Sequence, residues 1–147
     1  MRSDEPGEDE VALLENVGIA LYQLRHRTVH TPTSTTVTRR DLVRDLVVDI
    51  VDRAAGTATI NDVAEQLLVT PSIARRLVTE CIYRDLVLRV PADHDRRRYS
   101  LHLTEAGIAL RDRLRRHYRQ AFEHVTRDWP ADERLEFARL LHKYAAP

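Results

Sequence analysis

Arg75 and Arg76 are flanked by hydroxyl side chains at helical spacing. Ser72, Arg75, Arg76 and Thr79 stand at positions i, i+3, i+4 and i+7, which share one face of an α-helix. A guanidinium can grip a guanine edge or a phosphate through two hydrogen bonds, and a hydroxyl can bond a phosphate oxygen. The pattern therefore favours a nucleic-acid contact in which Arg75 or Arg76 reads a base while Ser72 and Thr79 hold phosphates. The alternative is an ordinary solvated helix face.

A second charged cluster lies in the stretch PADHDRRRYS, where Asp95 precedes Arg96, Arg97 and Arg98. Like charges repel, so such a run is tolerable where the partner is a line of phosphates. Asp95 and Arg97 are two residues apart and can share an ion pair on a tight tip, which would orient the arginine. Arg96 and Arg98 are expected to face phosphates. The alternative is that exposed charges decorate a hairpin only to prevent the pairing of sheet edges.

Two short helices joined by a tight turn are predicted to position the first cluster. Asn61 can cap a helix that reaches Leu68, and Thr70 with Pro71 begins the next helix, which extends to residue 84. The inner positions of this second helix are apolar, so the hydroxyls and arginines fall on its outer face. Such a pair of helices is a helix-turn-helix.

A β-hairpin is predicted to position the second cluster. The apolar period changes from 3.6 to 2 after residue 85, and Val87 to Val90 and Arg98 to Leu103 are the predicted strands. Residues 91–98 then form the tip. Longer amphipathic helices are predicted on both sides, over residues 11–27, 39–54, 105–128 and 132–144. The arginines of RDRLRRHYR, residues 111–119, are expected to form a solvated face.

The run from Ile60 to Gly107 resembles the MarR family of bacterial transcription regulators. In that family a recognition helix leads into a short strand, a wing with an Asp-x-Arg element, and a second strand that closes on Leu-Thr-x-x-Gly. The matching stretches here are DRR at residues 95–97 and LTEAG at residues 103–107. The chain departs from the family at Asp85, where the recognition helix usually ends in Gly. Asp is among the few residues that tolerate a left-handed cap.

The resemblance implies a mainly α fold with a small β-hairpin wing, built as a winged helix-turn-helix plus a helical dimerisation region. A single domain would span residues 11–147, with a DNA-binding lobe at about 40–103 and dimerisation helices at about 11–29 and 104–147. The acidic stretch of residues 1–10 is expected to be a disordered tail.

The function implied by the resemblance is that of a dimeric repressor. An obligate two-fold dimer would bind a pseudo-palindromic operator in double-stranded DNA. Recognition helix 71–84 would enter a major groove, and wing 91–98 would lie along the neighbouring minor groove, with Arg97 inside that groove. The family also commonly binds small amphipathic or aromatic acids between the dimerisation helices and the DNA-binding lobe. Tyr22, His26 and Arg40 are the candidate residues for such an effector.

Composition bounds the other classes of function. The 147 residues suffice for one domain with its own core, and 43% hydrophobic with 31% charged residues is typical of a soluble globular protein. No apolar run is long enough for a membrane span and no signal peptide opens the sequence, so a cytoplasmic location is expected. A formal net charge of zero gives mild support to the competing interpretation, a winged-helix module that binds another protein.

No catalytic, metal or cofactor site is expected. The sequence has no glycine-rich phosphate loop and no nucleophile beside a base in a recognisable arrangement, so an enzyme is not predicted. The single cysteine, Cys81, excludes an intramolecular disulfide and a cysteine-rich zinc site, and it falls on the inner face of the recognition helix. His26 and His30 are four apart, but no acid or cysteine within the next turn completes a metal site.

Overall fold

The computed structural model describes residues 7–35, 37–92 and 95–146, and at residues 39, 40, 43, 92 and 95–97 it describes the backbone alone. The helices and strands are α1 (Glu8–Glu15), α2 (Val17–His30), α3 (Arg39–Arg53), α4 (Ile60–Leu67), α5 (Pro71–Tyr83), β1 (Val87–Ala92), β2 (Asp95–Leu103), α6 (Glu105–Val125) and α7 (Ala131–Ala145). The predicted class is confirmed: the fold is mainly α, with a helix-turn-helix (α4 and α5) and a β-hairpin wing.

Contacts along the chain define two compact units. One is Thr33–His117, called the winged unit below, and the other combines Met1–Pro32 with Tyr118–Pro147 and is called the terminal unit. The core of the winged unit is built from apolar side chains of α3, α4, α5, β2 and α6, among them the fully buried Val47, Val48, Val63, Val78 and Leu114. This core holds the helix-turn-helix against the sheet.

Two N-caps define where the two helices of the helix-turn-helix begin. At the start of α4, Thr59 and Asp62 form a reciprocal capping box, in which each side chain accepts a hydrogen bond from the other residue's backbone N–H. The prediction that Asn61 is the N-cap is therefore wrong, because Thr59 lies three residues before an acid and Asn61 does not. At the start of α5 the predicted cap is confirmed: the Thr70 hydroxyl accepts from the Ile73 N–H at 3.3 Å, and Pro71 is the first helical residue.

Leu68, in the turn between α4 and α5, adopts a left-handed conformation with φ of 54°. Its side chain is 92% exposed, so it contributes almost no apolar burial. Because a side chain in this region costs about 1 kcal/mol and glycine does not, Leu68→Gly is expected to raise the free energy of unfolding by roughly that amount. Urea denaturation measures the change. Gln66→Gly is the control. Because Gln66 is helical and exposed, this change should lower the free energy of unfolding by up to about 1 kcal/mol. A loss of stability in both variants would contradict the prediction.

The recognition helix ends on the cap expected from the sequence. Asp85 is left-handed, with φ of 55°, and the Leu86 N–H bonds the Cys81 carbonyl at 2.9 Å. The helix ends at Tyr83, one residue before the predicted end. The Thr104 hydroxyl donates to the Asp85 carbonyl and accepts from the Gly107 N–H at 3.0 Å. Thr104 therefore joins the end of α5 to the start of α6.

The hairpin is longer than predicted. β1 pairs antiparallel with β2 in the register Val87↔Leu103, with an irregularity between Pro91 and Ala92. The strands were expected to end at Val90 and to begin again at Arg98, but β1 reaches Ala92 and β2 begins at Asp95, so only residues 93–94 lie between them. The prediction that residues 91–97 separate the two strands is therefore wrong, because a bulge lets pairing continue beyond Pro91.

Two arginines of α6 bind acids of α3. Arg111 pairs with Asp52, and Arg115 lies 2.9 Å from both Asp49 and Asp52. The expectation of a solvated arginine face is wrong for Arg111, whose side chain is 19% exposed, whereas Arg115 is solvated as expected and also pairs with acids of an element distant in sequence. Further along the helix, Arg119 pairs at 3.9 Å with Glu123 of its own helix and is well exposed, as expected.

The Asp52 pair makes stability depend on pH. Burial raises the pKa of Asp52, but the hydrogen bond and charge of Arg111, followed by those of Arg115, outweigh it and leave the pKa below its ordinary value of 3.8. The pair therefore stabilises the fold fully at pH values above 3.8, and this stabilisation is lost as the pH falls through the lowered pKa.

Asp52→Asn is expected to lower the free energy of unfolding by about 1–2 kcal/mol at pH 7, and by less at pH 3, which is below the ordinary pKa of 3.8. Urea denaturation at both pH values measures the two differences. Asp112→Asn is the matched control, because Asp112 contacts the same arginine at 2.9 Å but is more exposed. A loss for Asp52→Asn that is equal at pH 7 and pH 3 would contradict the ion-pair explanation.

The terminal unit contains α1, α2, α7 and the end of α6. A single helix was predicted over residues 11–27, but Asn16 divides it: its backbone leaves the helical conformation, and its side-chain amide donates to the Ala12 carbonyl at 2.7 Å. α1 begins at Glu8, so the predicted disordered tail is wrong for residues 8–10, and residues 1–6 lie outside the described residues. The break at Trp129-Pro130 is confirmed, with α6 ending at Val125, three residues early, and α7 beginning at Ala131, one residue early.

The terminal unit exposes much apolar surface. Phe122 and Phe137 stack with their centroids 6.1 Å apart, and Trp129 packs edge-on to Phe137 at 5.5 Å. Many other large apolar side chains remain exposed in this unit, including Leu13, Leu14, Ile19, Tyr22, Leu135 and Tyr144. Of the helices in the described ranges, none combines the length and apolar character needed to cross a membrane.

Candidate nucleic-acid interface

The outer face of α5 carries the side chains expected from the sequence. Ser72, Arg75, Arg76 and Thr79 are all exposed, while Ala74, Val78 and Cys81 on the inner face are fully buried and Ile73, expected to be buried, is 39% exposed. The Thr79 hydroxyl donates to the Arg75 carbonyl at 2.7 Å, so in this conformation its lone pairs face outward rather than its hydrogen. A direct Thr79–phosphate bond would require that hydroxyl to rotate. The phosphate role of Ser72 and Thr79 stays a prediction.

The charge on this face is positive. Within the described part of the chain, no acid lies within ion-pair distance of Arg75 or Arg76. The nearby acid on α5, Glu80, is bound by Arg44 of α3 at 2.8 Å. The two guanidiniums on the outer face are thus available to a ligand.

Arg44 is a residue whose role the sequence pattern did not indicate. Its side chain is only 11% exposed, and it lies 3.6 Å from Asp41 as well as 2.8 Å from Glu80. Asp41 also accepts from the Thr38 N–H at 2.9 Å in the predicted capping box of α3. Arg44 therefore links the start of α3 to the recognition helix and offsets the negative charge of Glu80. The pairing of residues 36 apart in the chain leaves no local signal in the sequence.

The wing places its charged residues at the free end of the hairpin. Asp95, Arg96 and Arg97 lie on β2 next to the tip, but their side chains lie outside the described residues, so the Asp95–Arg97 ion pair stays a prediction. Arg98 is on the same strand and is exposed. All four residues lie on β2 of the wing. Their contacts with DNA stay predictions.

A cavity of about 370 Å³ is lined by the start of α4, by Arg75 of α5 and by the wing sheet. Arg75 is the one residue in its lining that the sequence pattern had indicated. Arg89 of β1 and Tyr99 of β2 were missed, since they share a sheet face with the buried Leu101 and strand alternation alone does not show which part of that face stays open to a ligand. The lining comprises Thr59, Ile60, Asn61, Arg75, Arg89, Tyr99 and Leu101.

Cys81 is buried within the winged unit. Burial, and then the charge of Glu80, raise the pKa of its thiol to about 11. The thiol is therefore protonated at neutral pH, which fits the expectation of an inert core cysteine.

The candidate effector residues lie in different parts of the chain. Tyr22 and His26 are exposed on α2, with ring centroids 6.0 Å apart, and the side chain of Arg40 lies outside the described residues. His26 stacks on His30 at 4.1 Å, and a ring nitrogen of His30 lies 2.8 Å from the His26 carbonyl oxygen. Among the described residues, no three possible metal ligands lie together. The effector role of Tyr22, His26 and Arg40 stays a prediction.

Comparison with known proteins gives matches in structure only. No family model and no curated protein matches the sequence. The fold is similar to that of a MarR family protein from Bacillus stearothermophilus, with 20% identity, a TM-score of 0.72 and coverage of 95% of this chain and 96% of the other. It is also similar to a MarR family transcriptional regulator from Rhodococcus sp. RHA1, with 25% identity, a TM-score of 0.65 and coverage of 99% and 98%.

A third similar structure contains a ligand. It is CouR from Rhodococcus jostii RHA1 bound to p-coumaroyl-CoA, with 26% identity, a TM-score of 0.61 and coverage of 99% of this chain and 97% of the other. In all three cases the match extends along nearly the whole of both chains. The similarity thus includes the helices on either side of the winged helix-turn-helix as well as the motif itself.

Proposed function

This chain has the fold of MarR family regulators, and on that premise we propose that it is a sequence-specific DNA-binding regulator of transcription. The observation that carries the proposal is the outer face of α5, where Arg75 and Arg76 are exposed and have no acidic partner in the described part of the chain. In a winged helix-turn-helix this face is the one that enters a major groove. The wing, with Asp95 to Arg98, then lies along the neighbouring minor groove.

We infer that the active species is a homodimer. The support is the apolar surface of the terminal unit, where Leu13, Leu14, Ile19 and Leu135 are all more than half exposed. Many large apolar side chains exposed in one part of a globular protein commonly mark an interaction surface. A two-fold dimer would present two recognition helices to a pseudo-palindromic operator and would repress by occupying it.

A small amphipathic or aromatic effector is proposed to release the DNA. The support is one structural relative, CouR, whose structure contains p-coumaroyl-CoA. In this chain Tyr22, His26 and Arg40 are the proposed contacts. An effector that binds the DNA-free arrangement more tightly would shift the dimer away from the operator by its differential affinity.

Sequencing the DNA retained by the purified protein tests the proposal. Fragments of its own genome are incubated with the protein and washed, and the retained fragments are sequenced. A palindrome with half-sites about one helical turn apart is expected. The double variant Arg75→Ala/Arg76→Ala should retain no such sequence, and sedimentation should show a dimer in both proteins. Equal retention of unrelated fragments by both proteins would contradict sequence-specific regulation.

Arg97→Ala is expected to weaken operator binding by roughly tenfold at moderate salt, because the arginine would leave a narrow minor groove with strong negative potential. Fluorescence anisotropy with a labelled operator measures the affinity. The loss should shrink when the flanking A·T pairs are exchanged for G·C pairs. Arg127→Ala is the control, since this exposed arginine pairs with its neighbour Asp128 at 3.3 Å outside the winged unit. Unchanged affinity for Arg97→Ala would refute the minor-groove role.

The competing function is a winged-helix module that binds another protein. Its support is the formal net charge of zero, which gives the chain no general attraction to nucleic acid. Salt dependence distinguishes the two functions. A regulator that contacts several phosphates loses DNA affinity steeply as salt rises, whereas an interaction module shows weak or absent DNA binding at every salt concentration.

A further inference from the structure

The cavity between α5 and the wing brings two arginines together from different elements. Arg75 projects from the recognition helix and Arg89 from β1, and both line the same opening of about 370 Å³. Both side chains are exposed, and neither has an acidic partner among the described residues. Two guanidiniums that line one cavity make its potential positive and favour an anion there.

The register of the hairpin explains how Arg89 reaches the cavity. Arg89 is paired with Leu101, and Pro91 is paired with Tyr99, so Arg89 and Tyr99 are diagonal neighbours on one face of the sheet. Leu101 is buried at 2% exposure and forms the floor, whereas Tyr99 is 49% exposed at the rim. The cavity thus has an apolar floor and a rim of hydrogen-bond donors.

The opposite wall supplies polar groups without a free negative charge. Thr59 and Asn61 line this wall at the start of α4. The acid nearest to them in sequence, Asp62, accepts hydrogen bonds of 2.7 Å from both the N–H and the hydroxyl of Thr59. Its carboxylate is therefore engaged in the capping box.

The geometry of the DNA grooves indicates which anion the cavity would bind. A recognition helix in a major groove and a wing in the adjacent minor groove lie on either side of one DNA strand, because that strand's phosphates separate the two grooves. Arg75 of the recognition helix and Arg89 of the wing both line the cavity, so it opens where these two elements meet beside the start of α4. Building on the proposed function, we infer that the cavity formed by Arg75, Arg89 and Tyr99 binds a backbone phosphate of the strand between the grooves.

This inference gives the two arginines on the outer face of α5 different roles. Arg75 faces the cavity and serves as a phosphate contact with Arg89, so it carries no sequence information. Arg76 is then the arginine that reads a base. Sequence alone left the choice between Arg75 and Arg76 open.

The first test measures Arg89 variants on two duplexes. Wild type, Arg89→Ala, Arg89→Lys and the control Arg127→Ala are titrated by fluorescence anisotropy, against the retained operator and against a mixed-sequence duplex of about 30 base pairs at low salt. Arg89→Ala is expected to lose roughly tenfold on both duplexes alike and to reduce the salt slope by about one. Arg89→Lys should recover most of the affinity, and thermal melting should show all variants folded.

The second test locates the phosphate. Single phosphates of the operator are replaced in turn by neutral methylphosphonates, and wild type is compared with Arg89→Ala on each duplex. At one position between the two grooves the penalty of Arg89→Ala should disappear, because the contact has already been removed. An unchanged affinity for Arg89→Ala, or a penalty that persists on every substituted duplex, would overturn the inference while leaving DNA binding by wild type intact. Absence of wild-type binding to any duplex would overturn the proposed function itself.

Discussion

Gly107→Ala is expected to destabilise the protein by about 3 kcal/mol or more. A Cβ at this position would overlap the carbonyl oxygen of Leu86 and would lie 3.0 Å from its carbonyl carbon. The Leu86 peptide cannot easily move away. Its N–H bonds the Cys81 carbonyl at 2.9 Å, and its oxygen accepts from the Thr104 N–H at 3.1 Å.

The measurement is urea denaturation followed by circular dichroism, with anisotropy on the operator as a second readout. Gly18→Ala is the matched control: Gly18 is also helical, and a Cβ there would meet nothing within 4 Å. That variant should be neutral or gain up to about 1 kcal/mol from the higher helix propensity of alanine. If Gly107→Ala unfolds at the same urea concentration as wild type, the close contact between α6 and the end of α5 is not needed for stability.

The Leu-Thr-x-x-Gly pattern can now be given a physical reason. Thr104 bonds the Asp85 carbonyl and caps α6, and Gly107 lets the first turn of α6 approach the Leu86 backbone. The spacing of the two residues was visible in the sequence, because capping acts over three positions along the chain. The close approach of Gly107 to Leu86 was not visible in the sequence, since it depends on how α6 packs against the link between α5 and β1.

Local signals predicted much of the local structure, and the contacts between distant elements that they missed have a common cause. The caps at Thr38 and Thr70 and the left-handed Asp85 all depend on neighbouring residues, and each is confirmed. The pairing of Arg111 with Asp52, at a separation of 59 residues, was missed because it depends on the packing of two helices.

The candidate site also contains residues that the sequence indicated and residues that depend on contacts between elements. The outer face of α5 follows from helical period, so Arg75 and Arg76 were found from the sequence. Arg89 and Tyr99 enter the site only through the strand register, which places them beside Arg75. No period in the strand marks them, because alternation in a hairpin distinguishes one face from the other but not which face meets a ligand.

Arg76→Ala is expected to weaken operator binding by about 1–3 kcal/mol and to relax preference at one base pair in each half-site. The reason is that a bidentate arginine contact to a guanine edge discriminates among bases, and its removal leaves the remaining contacts intact. Selection of bound sequences from a randomised duplex pool measures the preference at every position. Wild type should prefer one base at a position where Arg76→Ala shows no preference.

Arg75→Ala is the matched comparison, because it removes the neighbouring arginine from the same exposed helix face. Its loss should be equal on operator and mixed-sequence DNA, with every base preference retained and the salt slope reduced by about one. A uniform loss for Arg76→Ala would make Arg76 another phosphate contact. If Arg75→Ala instead were the variant that relaxed a base preference, Arg75 would reach the base edges, and the assignment of the cavity to a backbone phosphate would fail with it.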